Sequence, residues 1–289
     1  MVVAGLVGAT GAGSERHFFD WFGSQPLIIA HRGYRACYPE NTLCAFEQSL
    51  GRSRMIEVDV QLSGDGVAVV FHDSTLSRTT NAVQLAGQLD LTSLDLCDWG
   101  LDQLRRLDLG SWFLDADPFG MLGRGYIDRE SLVALMPQPI LTLRELLAWA
   151  TEHRMPLNVE IKDLRKTSMD GLIVPEVLRE IRLSRACGQV VLSSFRHDYL
   201  QTCRHLAPEI ATAALQEGTH PPDLVRYLQT LGVCAYHPEN GLVDASLVKT
   251  LCAADFHVNV FTVNDPNRQR QLFRWGVTGI FTDFLEVLP

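Results

Sequence analysis

Basic residues are in short supply. The 289-residue chain has 25 Lys and Arg against 34 Asp and Glu, a net charge of −9. Binding a nucleic-acid backbone requires clustered cations, so this balance argues against nucleic acid as a partner while leaving room for a local anion site. Closely spaced cysteine pairs are absent too. The seven cysteines (37, 44, 97, 187, 203, 234 and 252) are odd in number and form no CxxC. That spacing argues against structural zinc and against a disulfide framework, and reduced thiols suit a cytoplasmic protein. No run reaches the roughly 18 apolar residues of a membrane span. The opening 1–13 is small and apolar but has no basic flank, so 1–25 reads as an N-terminal tail rather than a signal peptide. Internal repeats and low-complexity segments are also missing, which excludes a solenoid.

What is present is an α/β pattern. Hydrophobic residues make up 46% of the chain, enough for one large core. Apolar strand-like runs fall at 27–30, 55–60, 157–161, 189–193, 210–215, 233–236, 257–263 and 279–282. Helical patterns separate most of them, for example 142–153, 197–206 and 266–275. Eight strands alternating with helices predict a TIM (β/α)8 barrel over 26–289. Ser63-Gly64-Asp65-Gly66 is too short for a crossover, so 67–71 is expected to return as the arm of a β-hairpin after strand two. Pairing Leu62 with Val67 would set Glu57 opposite His72. Asn41 or Thr42 is the expected cap of the next helix. An insertion of about 79–139 precedes strand three. It is expected to hold a helix within 91–109, and its part 110–138 reads as a lid, a substrate wall or a small subdomain. The aromatic stretch 17–23 would plug the barrel bottom or pack on an outer helix.

Active sites of such barrels lie at the C-terminal ends of the strands. There the sequence places His31 and Arg32, then Glu57 and Asp59, then His72, then Glu160 and Lys162, with His237, Asn264, Asp265 and Asp283 on later strands. Glu57 and Asp59 are two apart and share one face of a strand. Like charges so placed call for a cation between them. Three carboxylates without a thiolate suit one hard divalent cation, Mg2+ or Ca2+. Two histidines suit an acid–base pair, and Arg32 and Lys162 suit a phosphate. Together these groups describe metal-assisted phosphodiester cleavage.

The motifs AHRG at 30–33, PENT at 39–42, IEVDV at 56–60 and DGVAVVFHD at 65–73 follow one another in order. VEIK at 159–162, FTVN at 261–264 and GIFTD at 279–283 complete the series. With these the chain resembles the glycerophosphodiester phosphodiesterase family. The resemblance implies that Glu57, Asp59 and Glu160 ligate the cation and that His31 and His72 are the acid–base pair. Arg32 and Lys162 would hold the phosphate, with Phe261 beside the substrate. The substrate implied is a small glycerophosphodiester, split into glycerol 3-phosphate and an alcohol such as choline or ethanolamine. A cyclic phosphate intermediate formed by the glycerol 2-hydroxyl is part of that implication. Phe261 stands where many relatives carry Trp, and the loop 34–38 is bulkier than usual. The alternative on the same fold is a lysophospholipase D or sphingomyelinase-D-like lipid phosphodiesterase, which would need an apolar groove at the rim. The oligomeric state stays open.

Overall fold

A computed structural model describes residues 18–23, 25–89 and 92–286. Much of the expected tail, 1–25, and His17 of the aromatic stretch therefore lie outside the described residues. Nine strands form one sheet: β1 (Leu27–His31), β2 (Met55–Leu62), β3 (Ala68–Val70), β4 (Leu157–Ile161), β5 (Val190–Ser194), β6 (Ala211–Gln216), β7 (Ala235–Pro238), β8 (His257–Val260) and β9 (Gly279–Thr282). Eight of them pair in parallel, and the pairings β1–β2 and β1–β9 close the barrel. β3 stands outside the closed ring, antiparallel to β2. Strand alternation sorts the core. Ile56, Val58, Val60 and Leu62 face out and bury against helix residues such as Leu143, Leu146 and Leu147. Met55, on the opposite face, joins Leu27, Ile29, Val191, Ala213, Ala235 and Phe281 inside the barrel.

The stretch Phe18–Phe22 is a 3-10 turn whose Phe18, Phe19 and Phe22 bury against those inward residues. Of the two placements expected for this stretch, Phe18–Phe22 takes the barrel bottom. Helices Leu143–His153, His197–Leu206 and Pro266–Trp275 form where the apolar spacing predicts them. Thr142 caps the first with a capping box completed by Glu145.

Three expectations fail locally. The hairpin register is one residue off: Leu62 pairs with Ala68, and Ser63 exchanges hydrogen bonds with Val67. The loop is three residues, 64–66, because Gly66 takes φ +80 and its N–H bonds to the Ser63 carbonyl. His72 therefore does not sit opposite Glu57 in a ladder. β3 ends at Val70, and His72 lies past its end. Second, the helix within 91–109 is broken into a 3-10 turn, Leu96–Asp98, and one short helix, Leu101–Leu104. The chain near Asp95 instead bridges to Thr75, with Leu76 N–H on the Leu94 carbonyl, and Trp99 and Gly100 are extended. Third, the strand expected over 257–263, β8, stops at Val260.

The insertion is made of short helices. Its Leu85, Leu96, Trp99, Leu104 and Leu107 form a small core with Val69 and Phe71 of the hairpin arm. The part 110–138 carries Phe119, which packs edge-on against Phe284 at 5.5 Å and beneath the Arg35 guanidinium. No helix among the described residues is long and apolar enough to cross a membrane.

Candidate active site

β1 ends at His31, and the chain then turns sharply. Arg32 is left-handed at φ +58, and Gly33 follows at φ +83. A side chain on Gly33 would meet the Ala45 backbone at 2.9 Å, so only glycine fits. The left-handed Arg32 costs roughly 1 kcal/mol. The turn directs the Arg32 backbone N–H to the Glu57 carboxylate at 2.9 Å. It also brings the Arg32 guanidinium to Glu40 at 2.8 Å and Asp59 at 3.3 Å.

Glu57, Asp59 and Glu160 meet above the barrel interior. One carboxylate oxygen from each lies within 4.8 Å of the others, and all three residues are buried. Register places them so: Asp59 pairs directly with Glu160 across β2 and β4, while Glu57 is one inward step below Asp59. Burial, with Asp59 and Glu160 alongside, pushes the Glu57 carboxyl well above its usual pKa. Burial would push Asp59 up as well, but Lys162 and Arg32 hold it well below the usual range. Lys162 Nζ lies 2.6 Å from Glu160 and 3.3 Å from Asp59, and those anions raise its pKa against burial.

Both histidines are oriented by a carboxylate. His31 Nδ1 is 2.8 Å from Asp283, and His72 Nδ1 is 2.6 Å from Asp73. Each leaves Nε2 for the cleft. Burial lowers the His31 pKa, with Asp283 opposing. Asp283 is itself held below the usual carboxylate range by His31 and Arg35, against burial. A cleft of about 580 Å³ opens on this group, lined by His31, Arg32, His72, Lys162, Glu160 and Phe261 among others. The two histidines, two cations and three carboxylates singled out in the sequence thus share one rim with Phe261. His237 does not reach the reacting groups. It is fully buried beneath them, hydrogen-bonded to Asn259 at 3.0 Å. Asp265 caps helix Pro266–Trp275, and Asn264 donates to Asp283.

The structure adds residues that pattern reading passed over. Buried Glu40 binds Arg32, Arg35 and Arg78, and the three guanidiniums hold it down to about 2 despite burial. Asn41 is not the helix cap. Thr42 accepts from Ala45 N–H in that role, while Asn41, left-handed at φ +56, donates to Asp59 at 2.9 Å. Gln61 Nε2 lies 3.0, 3.0 and 2.7 Å from the carbonyls of Phe71, His72 and Asp73, pinning the chain that carries the second histidine. The signals were PENT and the Q of IEVDVQ, polar residues without a surface to justify them.

The donor set suits a hard cation. All three residues offer oxygen; Glu57 Oε1 is buried without a hydrogen-bond partner, and Asp59 Oδ1 has only Lys162 Nζ at 3.3 Å. An unpaired buried carboxylate oxygen is costly, and an ion ligated there would satisfy both.

Comparison with known proteins places the chain among relatives. The model of the glycerophosphoryl diester phosphodiesterase family matches residues 31–287. A glycerophosphodiester phosphodiesterase of Bacillus altitudinis is 32% identical over 262 residues, 89% of this chain and 94% of that one. Among solved structures, an Oleispira antarctica phosphodiesterase in complex with the product sn-glycerol-3-phosphate is 26% identical. It aligns with a TM-score of 0.74 over 92% of this chain and 96% of that one. One from Silicibacter pomeroyi aligns at 0.75 with 27% identity, over 92% of both. The barrel, the rim residues and these matches agree, and the chain belongs to the glycerophosphoryl diester phosphodiesterase family, a family of phosphoric diester hydrolases.

Proposed function

We propose that the chain hydrolyses glycerophosphodiesters to glycerol 3-phosphate and an alcohol with the aid of one divalent cation, using His31 and His72 as its acid–base pair. The observation that carries this reading is the pair of carboxylate-oriented histidines beside the three clustered carboxylates on one cleft. Glu57, Asp59 and Glu160 would hold Mg2+ or Ca2+. When bound, that ion supplies positive charge for the nonbridging oxygens of the phosphate.

The chain's own residues do the rest. Arg32 and Lys162 border the cleft and would hold the phosphate, the first by its planar fork and the second as a point charge. Burial favours the neutral His31 ring, the form that accepts a proton. This reading gives His31 the proton of the attacking hydroxyl, taken at Nε2. His72 sits at the more open edge, its side chain 30% exposed, and gives a proton to the departing alcohol oxygen. Asp283 and Asp73 keep Nε2 of each ring turned to the cleft. Gln61 fixes the height of His72 through its three carbonyl contacts.

The lipid alternative needs an apolar groove at the rim, toward which the aromatic residues of the insertion would contribute. No described residue of 79–139 lines the cleft that holds the histidines, although Asp95 and Cys97 of the insertion line the groove adjoining it. Glycerol 3-phosphate release from glycerophosphocholine, set against turnover of lysophosphatidylcholine, tests the choice. Preference for glycerophosphocholine supports the reading; turnover of the lysolipid alone refutes it.

A further inference from the structure

The two histidines are joined behind the cleft. Asp283, which holds His31 Nδ1 at 2.8 Å, accepts from Arg35 Nη1 at 3.2 Å. Arg35 Nε donates in turn to Glu40 at 2.9 Å. On the other side of Glu40, Arg78 Nη1 and Nη2 donate to its two oxygens at 3.1 and 2.7 Å. Arg78 Nε and Nη2 also grip both oxygens of Asp73, at 2.6 and 2.9 Å. Asp73 holds His72 Nδ1 at 2.6 Å. The path from one ring to the other runs through Asp283, Arg35, Glu40, Arg78 and Asp73. The sign of the charge alternates at every step, and Glu40 is the middle.

Arg35 lies on the loop after β1, Arg78 on the loop after β3, and Asp283 just past β9. Left alone, an arginine side chain keeps much rotamer freedom, and an aspartate held by it would share that freedom. Both guanidiniums instead meet one carboxylate that is only 4% exposed, where water does not compete for its oxygens. Each arginine is thereby ordered before it meets its aspartate, and each aspartate before it meets its ring. Glu40, Arg35 and Arg78 are not among the described residues lining the cleft. Their effect on a substrate bound there passes through the rings.

We propose that Glu40 is the positioning residue of both histidines, acting on His31 through Arg35 and on His72 through Arg78. The proposal rests on the phosphodiesterase reading above. It makes the two arms separable. The Arg35 arm serves the ring that takes the proton of the attacking hydroxyl, a step every substrate needs. The Arg78 arm serves the ring that protonates the departing oxygen, a step only a poor leaving group needs. An arginine that merely tied loops together would matter alike to both kinds of substrate.

The test varies only the leaving group. Metal-loaded full-length protein is assayed on glycerophosphocholine and on the p-nitrophenyl diester of glycerol 3-phosphate, whose nitrophenolate departs without a proton. Arg78→Met should lower kcat/KM about tenfold or more on the choline diester and less than about threefold on the nitrophenyl diester. Arg35→Met, which keeps an apolar contact with Phe119, should lower both about tenfold. Glu40→Gln, which keeps the shape and removes the charge, should lower both and the choline diester further. Melting curves check that each variant is folded; should Glu40→Gln fail to fold, the two arginine variants decide. Equal losses on the two diesters in Arg78→Met would overturn the proposal, and so would wild-type kcat/KM in Arg35→Met. Wild-type protein that cleaves neither diester would instead overturn the phosphodiesterase reading, and this proposal with it.

Discussion

At the N-terminal end of the barrel the inward side chains are Leu27, Met55, Val191 and Ala235, closed off by Phe18, Phe19 and Phe22. At the other end, a few residues along the same strands, they are His31, Glu57, Asp59, Glu160 and Lys162. The bottom is an apolar layer capped by the three rings. The top keeps Glu57 Oε1 buried without a hydrogen bond, and holds Asp59 Oδ1 and Arg32 Nε only through ion pairs at 3.3 Å. One end of each strand stabilises the fold, and the other spends part of that stability on a charged site. The separation follows the general division of labour in such barrels, and it makes the two ends distinguishable by experiment.

The sharpest contrast is between activity lost at the top and stability lost at the bottom. His31→Ala and His72→Ala should each lower kcat/KM by about 10²- to 10⁴-fold with melting temperatures close to wild type. Steady-state assays of purified variants check this, and near-native turnover in either would remove that histidine from the chemistry. At the bottom, Phe19→Ala should cost about 3–5 kcal/mol in urea unfolding, because a large ring leaves a cavity. Below its transition the variant should keep wild-type kcat/KM. A stable but inactive Phe19 variant would erase the distinction between the two ends.

Acid should attack the top first. Glu40 is held at about 2 in the folded protein against a usual 4.5. Its contribution is fully present above pH 4.5 and is lost as pH falls toward 2, amounting to about 3 kcal/mol by linkage. Unfolding curves between pH 6 and 3 should therefore show a shallower pH dependence in Glu40→Gln than in wild type. Identical slopes would mean that the three arginines do not depend on Glu40's charge. The smallest effect concerns the carboxylate trio. Millimolar Mg2+ or Ca2+ should raise the melting temperature of wild type by a few degrees, and Glu57→Gln should abolish that rise without destabilising the metal-free protein. An undiminished rise would place the ion elsewhere.

The strands were legible because burial on two faces leaves a strong imprint. Outward Ile56, Val58 and Val60 alternate with Glu57 and Asp59, and carboxylates on the inward face of such a strand have few other uses. The histidines were legible because each follows an apolar run. Loops carry no such period. The hairpin register hung on one residue, since Ser63-Gly64-Asp65-Gly66 accommodates a three- or a four-residue loop equally well, and only the left-handed Gly66 decides. Asn41 has the composition of a cap and the job of a buried donor to Asp59. In the insertion, leucines at helical spacing do not make one helix, because Trp99 and Gly100 are extended and the segment near Asp95 bridges to the loop at Thr75. Glu40 could not be found by pattern, because its arginine partners come from two loops, Arg32 and Arg35 after β1 and Arg78 after β3.

The central claim is that three buried carboxylates serve a divalent ion in phosphodiester hydrolysis. The most direct measurement is glycerol 3-phosphate release from glycerophosphocholine by protein stripped with EDTA and dialysed, before and after adding Mg2+ or Ca2+. The account predicts negligible release from the stripped protein and recovery on adding one of the two ions. Full release from stripped protein in metal-free buffer would contradict it.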